Sequence, residues 1–157
     1  MQLNWKPSAE RWSVAQVFDH LVTTNNAYLP VIDSVLAGHK PTLWERMPLI
    51  PRSGKLLIRS IDPKSTRKFK APKSFRPAQS DISASVIDDF VDHQGKLVGK
   101  IKSTEHLDLE NTIITSPIAA VMTYSLMDAY RIMVVHERRH FEQAKRVTAE
   151  ALFPGQS

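Results

Sequence analysis

Two histidines four residues apart are the strongest chemical signal in the sequence. His136 and His140 lie in the run His136-Glu137-Arg138-Arg139-His140, inside a stretch whose pattern predicts a helix. Residues at positions i and i+4 of a helix lie on one face, with Cβ atoms roughly 5–6 Å apart. Two imidazole nitrogens at that spacing can reach one metal ion at about 2.0–2.1 Å each. The pair indicates either part of a metal site or two polar side chains that share a charged helix face by coincidence.

The same run matches the zincin pattern H-E-x-x-H, in which the glutamate is the general base. A zincin takes its third ligand downstream, but only 17 residues follow His140, and Arg146 stands where the metzincin extension needs a histidine. Zincin domains also usually contain a sheet, which this sequence does not predict. Glu137 is therefore interpreted as a solvated helix residue beside two arginines, and a third metal ligand is expected upstream.

Four further histidines are candidates for that ligand. His39 follows a glycine at the start of a proline-rich stretch, which favours exposure, and His106 falls in a predicted loop. His93 lies within a predicted helix, where a core, ligand or surface position is open to it. His20 lies at the edge of the apolar stripe of the first predicted helix, so it either reaches the bundle axis or is hydrogen-bonded in the core. The residues alone leave the third ligand undecided.

The composition is typical of one globular domain. The chain has 157 residues, of which 42% are hydrophobic and 24% charged, so we expect a single domain over residues 1–157. The lack of cysteine excludes a disulfide scaffold, a thiolate zinc site and a cysteine nucleophile. The first residues do not form a signal peptide, and the longest uncharged run, residues 111–127, is too short and too polar to span a bilayer. A cytoplasmic protein with no membrane partner is expected.

The spacing of apolar residues predicts an all-α fold, most simply an antiparallel helical bundle without a convincing strand. Residues 102–115 are expected to form a loop with a short extended piece at Leu107–Ile114. N-caps, prolines and glycines predict three long helices: one from Ser13 to Gly38 with a kink or split at Pro30, one from Ser80 to about Ile101, and one from Ser116-Pro117 to before Pro154.

Residues 39–79 form a long connection with six prolines, in which Gly54 to Ile61 is predicted to make one short helical piece. Connections of this length are often functional, so we expect this one to lie over a site. It contains the basic segment, residues 52–76, which carries nine cations and one acid, Asp62. These charges favour either a solvated loop or a surface that binds polyanions with a salt-dependent affinity. Aromatic residues are few there, so nucleic acid is not an expected partner.

Three motifs, in the same order along the chain, resemble those of one metalloprotein family. The run from Trp12-Ser13 to His20-Leu21 is similar to its W-S-x-x-x-x-x-x-H-L helix. The run Lys70–Pro77 is similar to a loop in one branch, and the run from His136 to Gln143 is similar to its H-E-x-R-H-x-x-Q end. With these motifs, over about residues 5–148, the sequence resembles the DinB-like, or YfiT-like, four-helix superfamily.

The resemblance implies a helical bundle with a divalent ion held by three histidines, one from an early helix and two from the last. Carried over residue by residue, these are His20, His136 and His140. The ion in relatives is typically zinc or nickel, and relatives include thiol-dependent transferases, a thiol-dependent isomerase and proteins called hydrolases. The resemblance thus implies an enzyme acting on small molecules, with an ion-activated water or low-molecular-weight thiol cosubstrate as nucleophile. Arg139, Gln143 and the basic segment are candidates for substrate contacts, and no catalytic residue is assigned.

One departure from the family pattern concerns the start of the bundle. Relatives usually carry a whole helix before the Trp-Ser motif, and only about ten residues precede it here. We therefore expect a truncated first helix, with either a truncated chain start or a partner that supplies the missing packing, most naturally a homodimer. The alternative to the enzyme is a non-catalytic metal-binding protein, or a polyanion-binding module that uses the basic segment.

Overall fold

The computed structural model describes residues 2–47, 53–67, 71–77 and 81–155. Short 3-10 turns cover Gln2–Asn4 and Lys73–Phe75. The predicted all-α fold is confirmed, with one small sheet added. In chain order the elements are the helices α1 (Val14–Asn26), α2 (Leu29–Leu36), α3 (Ser53–Ile61) and α4 (Val86–Ser103), the strands β1 (Ile113–Thr115) and β2 (Thr123–Ser125), and the helix α5 (Leu126–Thr148).

Helices α1, α4 and α5 form the body of the bundle, because α1 packs against both of the others, and α3 packs against α5 and β2. Two apolar clusters fill the interior. One surrounds Tyr124 and includes residues from α2, α4 and α5, and the other joins Val17 and Leu21 of α1 to Ala144 and Val147 of α5. The stretches of α1 and α5 between the two clusters carry polar side chains. None of the described helices has the length and apolarity needed to cross a bilayer.

The local sequence explains where α1 begins and where α2 ends. The hydroxyl of Ser13 accepts the backbone N–H of Gln16, whose side-chain oxygen accepts the N–H of Ser13, which makes a capping box. The split at Pro30 is confirmed, since α1 ends at Asn26 and Pro30 lies in the first turn of α2. Gly38 follows α2 with φ of 85°, the left-handed conformation that ends many helices.

The predicted start of the last helix at Ser116 is wrong, because α5 begins at Leu126. The Ser116 hydroxyl instead accepts two backbone N–H groups of the residues that follow it, so the Ser-Pro pair begins a turn. This turn joins β1 to β2, which pair antiparallel with Ile114 opposite Tyr124. The expectation of no strand is therefore also wrong, and β1 overlaps the extended piece expected at Leu107–Ile114 only at its end.

The second long helix also begins later than predicted. Helix α4 starts at Val86, and the predicted start at Ser80 lies outside the described residues. The Asn4 side chain donates to the carbonyl of Ile82 and accepts its N–H, so both backbone groups of Ile82 are used outside a helix.

The short helix predicted at Gly54–Ile61 is confirmed as α3. Three cations of the basic segment lie outside the described residues: Arg52, Lys68 and Lys70.

Candidate metal centre

Three histidines from the two ends of the chain meet between α1 and α5. One ring nitrogen from each of His20, His136 and His140 lies within 4.8 Å of the other two. The Nε2 atoms of His20 and His136 are 3.3 Å apart. The three rings contact one another edge to face, with centroids 4.5, 4.6 and 5.1 Å apart. The structure thus brings together the three residues that the family resemblance implied.

Helix packing places these side chains. His136 and His140 are one turn apart on α5, so their rings lie on the same face. Val17 and Leu21 of α1 lie in one apolar cluster with residues near the end of α5, and this contact sets the rotation of α1 about its axis. His20 lies three residues after Val17, so it shares this face of α1 and is turned towards α5.

The tautomer of His20 is fixed by a backbone carbonyl. The carbonyl oxygen of Phe75 lies 2.6 Å from His20 Nδ1. A carbonyl can only accept, so Nδ1 carries the proton and Nε2 keeps a free lone pair directed at the other two histidines. Histidines that bind metals commonly donate their second ring N–H to a carbonyl in this way. Phe75 belongs to the connection 39–79, so this part of the connection lies against His20.

The indole of Trp12 covers the other side of the cluster. Its ring is stacked on that of His140, with centroids 5.8 Å apart and an interplanar angle of 13°. It also lies against His20, at 4.9 Å between centroids. In the sequence, Trp12 is recognisable only as part of the Trp-Ser motif. No sequence pattern indicates that its indole contacts both His20 and His140.

Burial keeps the cluster neutral. Burial lowers the pKa of His136 to about 3, with the neighbouring His20 and Arg139 acting in the same direction. Burial also lowers the pKa of His140 to about 2, with His136 and His20 acting in the same direction. The pKa of His20 is lowered by burial as well, against the opposing effect of the Phe75 carbonyl. Neutral imidazole is the form that binds metal ions, so no proton has to be removed first at neutral pH.

The donor set fits a divalent ion. At ion–nitrogen distances of about 2.0–2.1 Å and tetrahedral angles, two ligand nitrogens lie about 3.3–3.4 Å apart, and the Nε2 atoms of His20 and His136 are separated by 3.3 Å. Nδ1 of His140 is buried without a hydrogen-bond partner among the described residues, so this ring has unused bonding capacity. Three neutral protein ligands would leave the ion its full charge and an open position, as in catalytic zinc sites.

Comparison with known proteins shows the family of the chain. The sequence model of one protein family, described as the DinB superfamily, matches residues 1–144. The chain belongs to the DinB superfamily. It is also 26% identical over 147 residues to the uncharacterized protein YuaE of Bacillus subtilis (strain 168), which covers 93% of this chain and 83% of that protein. No solved structure matches the chain.

In this DinB-superfamily protein, Glu137 connects three helices. Its Oε1 atom accepts a hydrogen bond from Asn25 Nδ2 at 2.6 Å and one from Gln94 Nε2 at 2.7 Å. These donors lie on α1 and α4, so one carboxylate joins both helices to α5 beside the histidine cluster. The interpretation of Glu137 as a solvated residue is therefore wrong, and the carboxylate that a zincin would use as a base is engaged in helix packing.

Arg139 holds the connection against α5. Its guanidinium donates to the backbone carbonyls of Asp62 and Arg67, and more weakly to that of Ser65. These bonds fix the chain that follows α3 next to the cluster, which makes Arg139 a positioning residue. The side chain of Gln143 works against the burial that lowers the pKa of His140.

The remaining histidines lie outside the cluster. His39 is half-buried and paired with Glu45 at 2.9 Å, although the sequence favoured exposure. His93 is buried on α4, with no hydrogen-bond partner for Nε2 among the described residues, and His106 is exposed. A groove of about 670 Å³ beside α5 has an apolar lining that includes Phe18, Phe90 and Phe141, but none of the three clustered histidines lines it.

Proposed function

We propose that this protein is a metal-dependent enzyme that acts on small molecules, with a divalent zinc or nickel ion held by His20, His136 and His140. The convergence of one buried and two half-buried histidine rings carries the proposal, and membership of the DinB superfamily supports it. When bound, such an ion lowers the pKa of a water or thiol enough to make it nucleophilic near neutral pH. The reaction class is thiol-dependent group transfer or hydrolysis. Because the chain has no cysteine, a thiol nucleophile has to be a low-molecular-weight cosubstrate.

The chain's own residues orient and shield the three ligands. The Phe75 carbonyl holds His20 with Nε2 facing the cluster, which removes the need to reorient the ring on binding. The Trp12 indole excludes water from one side, and electrostatic interactions strengthen as water is excluded. Through its bonds to three carbonyls, Arg139 keeps the covering connection in place.

The segment 71–77 supplies positive charge at the edge of the site. Lys73 and Arg76 are exposed and flank Phe75, whose carbonyl contacts His20. A substrate that approaches from this side would meet these two cations first. We therefore favour a substrate with an anionic group, because uncompensated cations at the rim of a site raise the local concentration of anions.

The principal test is the metal content of the untagged protein, measured by elemental analysis after incubation with zinc or nickel. We expect about one ion per chain in the wild type and in His106→Ala, which removes an exposed histidine outside the cluster, and loss of the ion in His20→Ala. Circular dichroism checks that each variant is folded. A wild type that takes up neither metal would overturn the proposal.

Activity assays separate the enzyme from its alternatives. The metal-loaded protein is screened for transfer of low-molecular-weight thiols and for hydrolysis of small anionic substrates. Turnover that depends on the ion supports the enzyme, whereas one bound ion per chain without turnover favours a non-catalytic metal-binding protein. The homodimer and the polyanion-binding basic segment stay predictions, to be measured by light scattering and by salt-dependent DNA binding.

A further inference from the structure

Large apolar side chains are exposed in the first half of the connection. The exposed fractions are 83% for Leu43, 42% for Trp44, 45% for Met47 and 64% for Leu56. Single exposed apolar residues are common on protein surfaces. Here four large exposed apolar residues lie within 14 residues of sequence. Exposed apolar residues that form a patch mark interaction sites.

Hydrogen bonds to the two strands hold these residues together. Oε1 of Glu45 accepts the N–H of Thr115 at 2.8 Å and its hydroxyl at 2.9 Å. The Ser53 hydroxyl, at the start of α3, donates to the carbonyl of Thr123. Thr115 and Thr123 are paired residues of β1 and β2. These bonds anchor two segments side by side: the turn that carries Leu43, Trp44 and Met47, and helix α3, which carries Leu56. We call these four residues the hairpin-end surface.

The exposed charges in the two chain segments that carry the hairpin-end surface are all positive. Lys40, Arg46, Lys55 and Arg59 are exposed, and none of them forms an ion pair within the part of the chain that the structure describes. Glu45 is the only acid among the described residues from 40 to 59, and it is buried. Its carboxylate accepts hydrogen bonds from three residues: His39, Thr42 and Thr115. The described parts of residues 40–59 therefore present apolar groups and cations without an exposed acid.

We propose that the hairpin-end surface binds to membranes that contain anionic lipids. Apolar side chains can enter the boundary between headgroups and acyl chains, tryptophan favours this interface, and lysine and arginine pair with anionic headgroups. Nucleic acid would satisfy the cations but would leave Leu43, Met47 and Leu56 without an apolar environment. Charge and exposure together therefore favour a lipid surface.

This contact is peripheral. The expectation of no membrane partner rested on the absence of a segment that could span a bilayer, which has no bearing on a protein that lies on the surface. The hairpin-end surface is also remote from the histidine cluster. Helix α5 begins at Leu126, directly after β2, and His136 lies ten residues further along, or about 15 Å at 1.5 Å per residue. Membrane binding would therefore leave the proposed metal site uncovered.

Co-sedimentation with lipid vesicles tests the proposal. We expect the full chain to sediment with phosphatidylcholine vesicles that contain phosphatidylserine, more at low than at high salt, and not with pure phosphatidylcholine. The Lys55→Gln/Arg59→Gln variant should bind about 30-fold more weakly, because each charge near an anionic surface contributes about fivefold. Tryptophan fluorescence should shift to shorter wavelength on binding, and this shift should disappear in Trp44→Ser.

A pair of matched variants isolates the apolar contribution. Leu56→Ser removes an exposed leucine from the hairpin-end surface and should weaken vesicle binding. Leu152→Ser removes a leucine that is 85% exposed, in the segment after α5, and should leave binding unchanged. Circular dichroism checks both folds. Absence of vesicle binding at low salt, or equal loss in both variants, would overturn the proposal, as would duplex DNA binding at least as tightly as the vesicles.

Discussion

The buried histidines should make the stability of the metal-free protein steeply dependent on pH. Burial lowers the pKa of His136 to about 3 and that of His140 to about 2, from 6.5 in the unfolded chain. As the pH falls below 6.5, the unfolded chain binds a proton at each position, whereas the folded chain does not until the pH is far lower. The stabilisation is therefore complete above pH 6.5 and is lost progressively as the pH falls towards 3.

The magnitude follows from these two pKa values. Well below pH 6.5, each such group removes about 1.4 kcal/mol of unfolding free energy per pH unit. Between pH 7 and pH 5 this amounts to about 2 kcal/mol for each of His136 and His140, or about 4 kcal/mol for the pair. His20 and His93 act in the same direction, because burial lowers the pKa of both. The expected loss is a large part of the stability of an ordinary domain, which is about 5–15 kcal/mol.

Urea denaturation followed by circular dichroism measures this loss, with EDTA present and the pH varied between 7 and 5. The matched variant is His136→Gln/His140→Gln, in which about 4 kcal/mol of the pH dependence should disappear. His106→Gln, which changes an exposed histidine, should keep the wild-type dependence. The reasoning is refuted by the same dependence on pH in the wild type and in the double variant.

Two further predictions concern the packing of the helices, both measured by urea denaturation. In Gly54→Ala the new Cβ would lie 2.7 Å from Asp128 Oδ2, so α3 must move and we expect a loss of about 1–3 kcal/mol. Gly95→Ala, where a Cβ meets nothing within 4 Å, should instead gain a few tenths to about 1 kcal/mol, and equal effects of the two changes would contradict the close packing of α3. Glu137→Leu leaves two amide donors without an acceptor and should cost about 2–4 kcal/mol. Glu137→Gln keeps an acceptor oxygen and should recover most of this loss, whereas an equal loss in both would show that these hydrogen bonds do not stabilise the fold.

The fold was predictable wherever local sequence decides the conformation. A serine cap, a proline and a glycine were enough to locate the start of α1, its split from α2 and the end of α2. Ser116-Pro117 shows the limit, because a serine followed by a proline suits the first turn of a helix and a tight turn equally well. The pairing of Ile114 with Tyr124 makes it a tight turn, and this pairing depends on tertiary packing rather than on local propensity.

Only part of the candidate site was predictable, because only part of it depends on local sequence. The spacing of His136 and His140 predicts a shared face, but the spacing of residues could not select His20, which came from the family resemblance. Phe75 contributes a backbone carbonyl, and a carbonyl is present in every residue, so no side-chain pattern could single it out. Glu137 was misinterpreted because its two amide partners lie on other helices.

The separation of the ligands along the chain has a consequence for folding. His20 and His136 are 116 residues apart, so bringing them together closes most of the chain into one loop. The entropic cost of closing a loop of that length is about 4 kcal/mol. The cluster therefore forms only when α1 has docked on α5, and neither half of the chain contains it alone. A metal ion bound to both ends would act as a reversible cross-link in a protein that has no cysteine to make a permanent one.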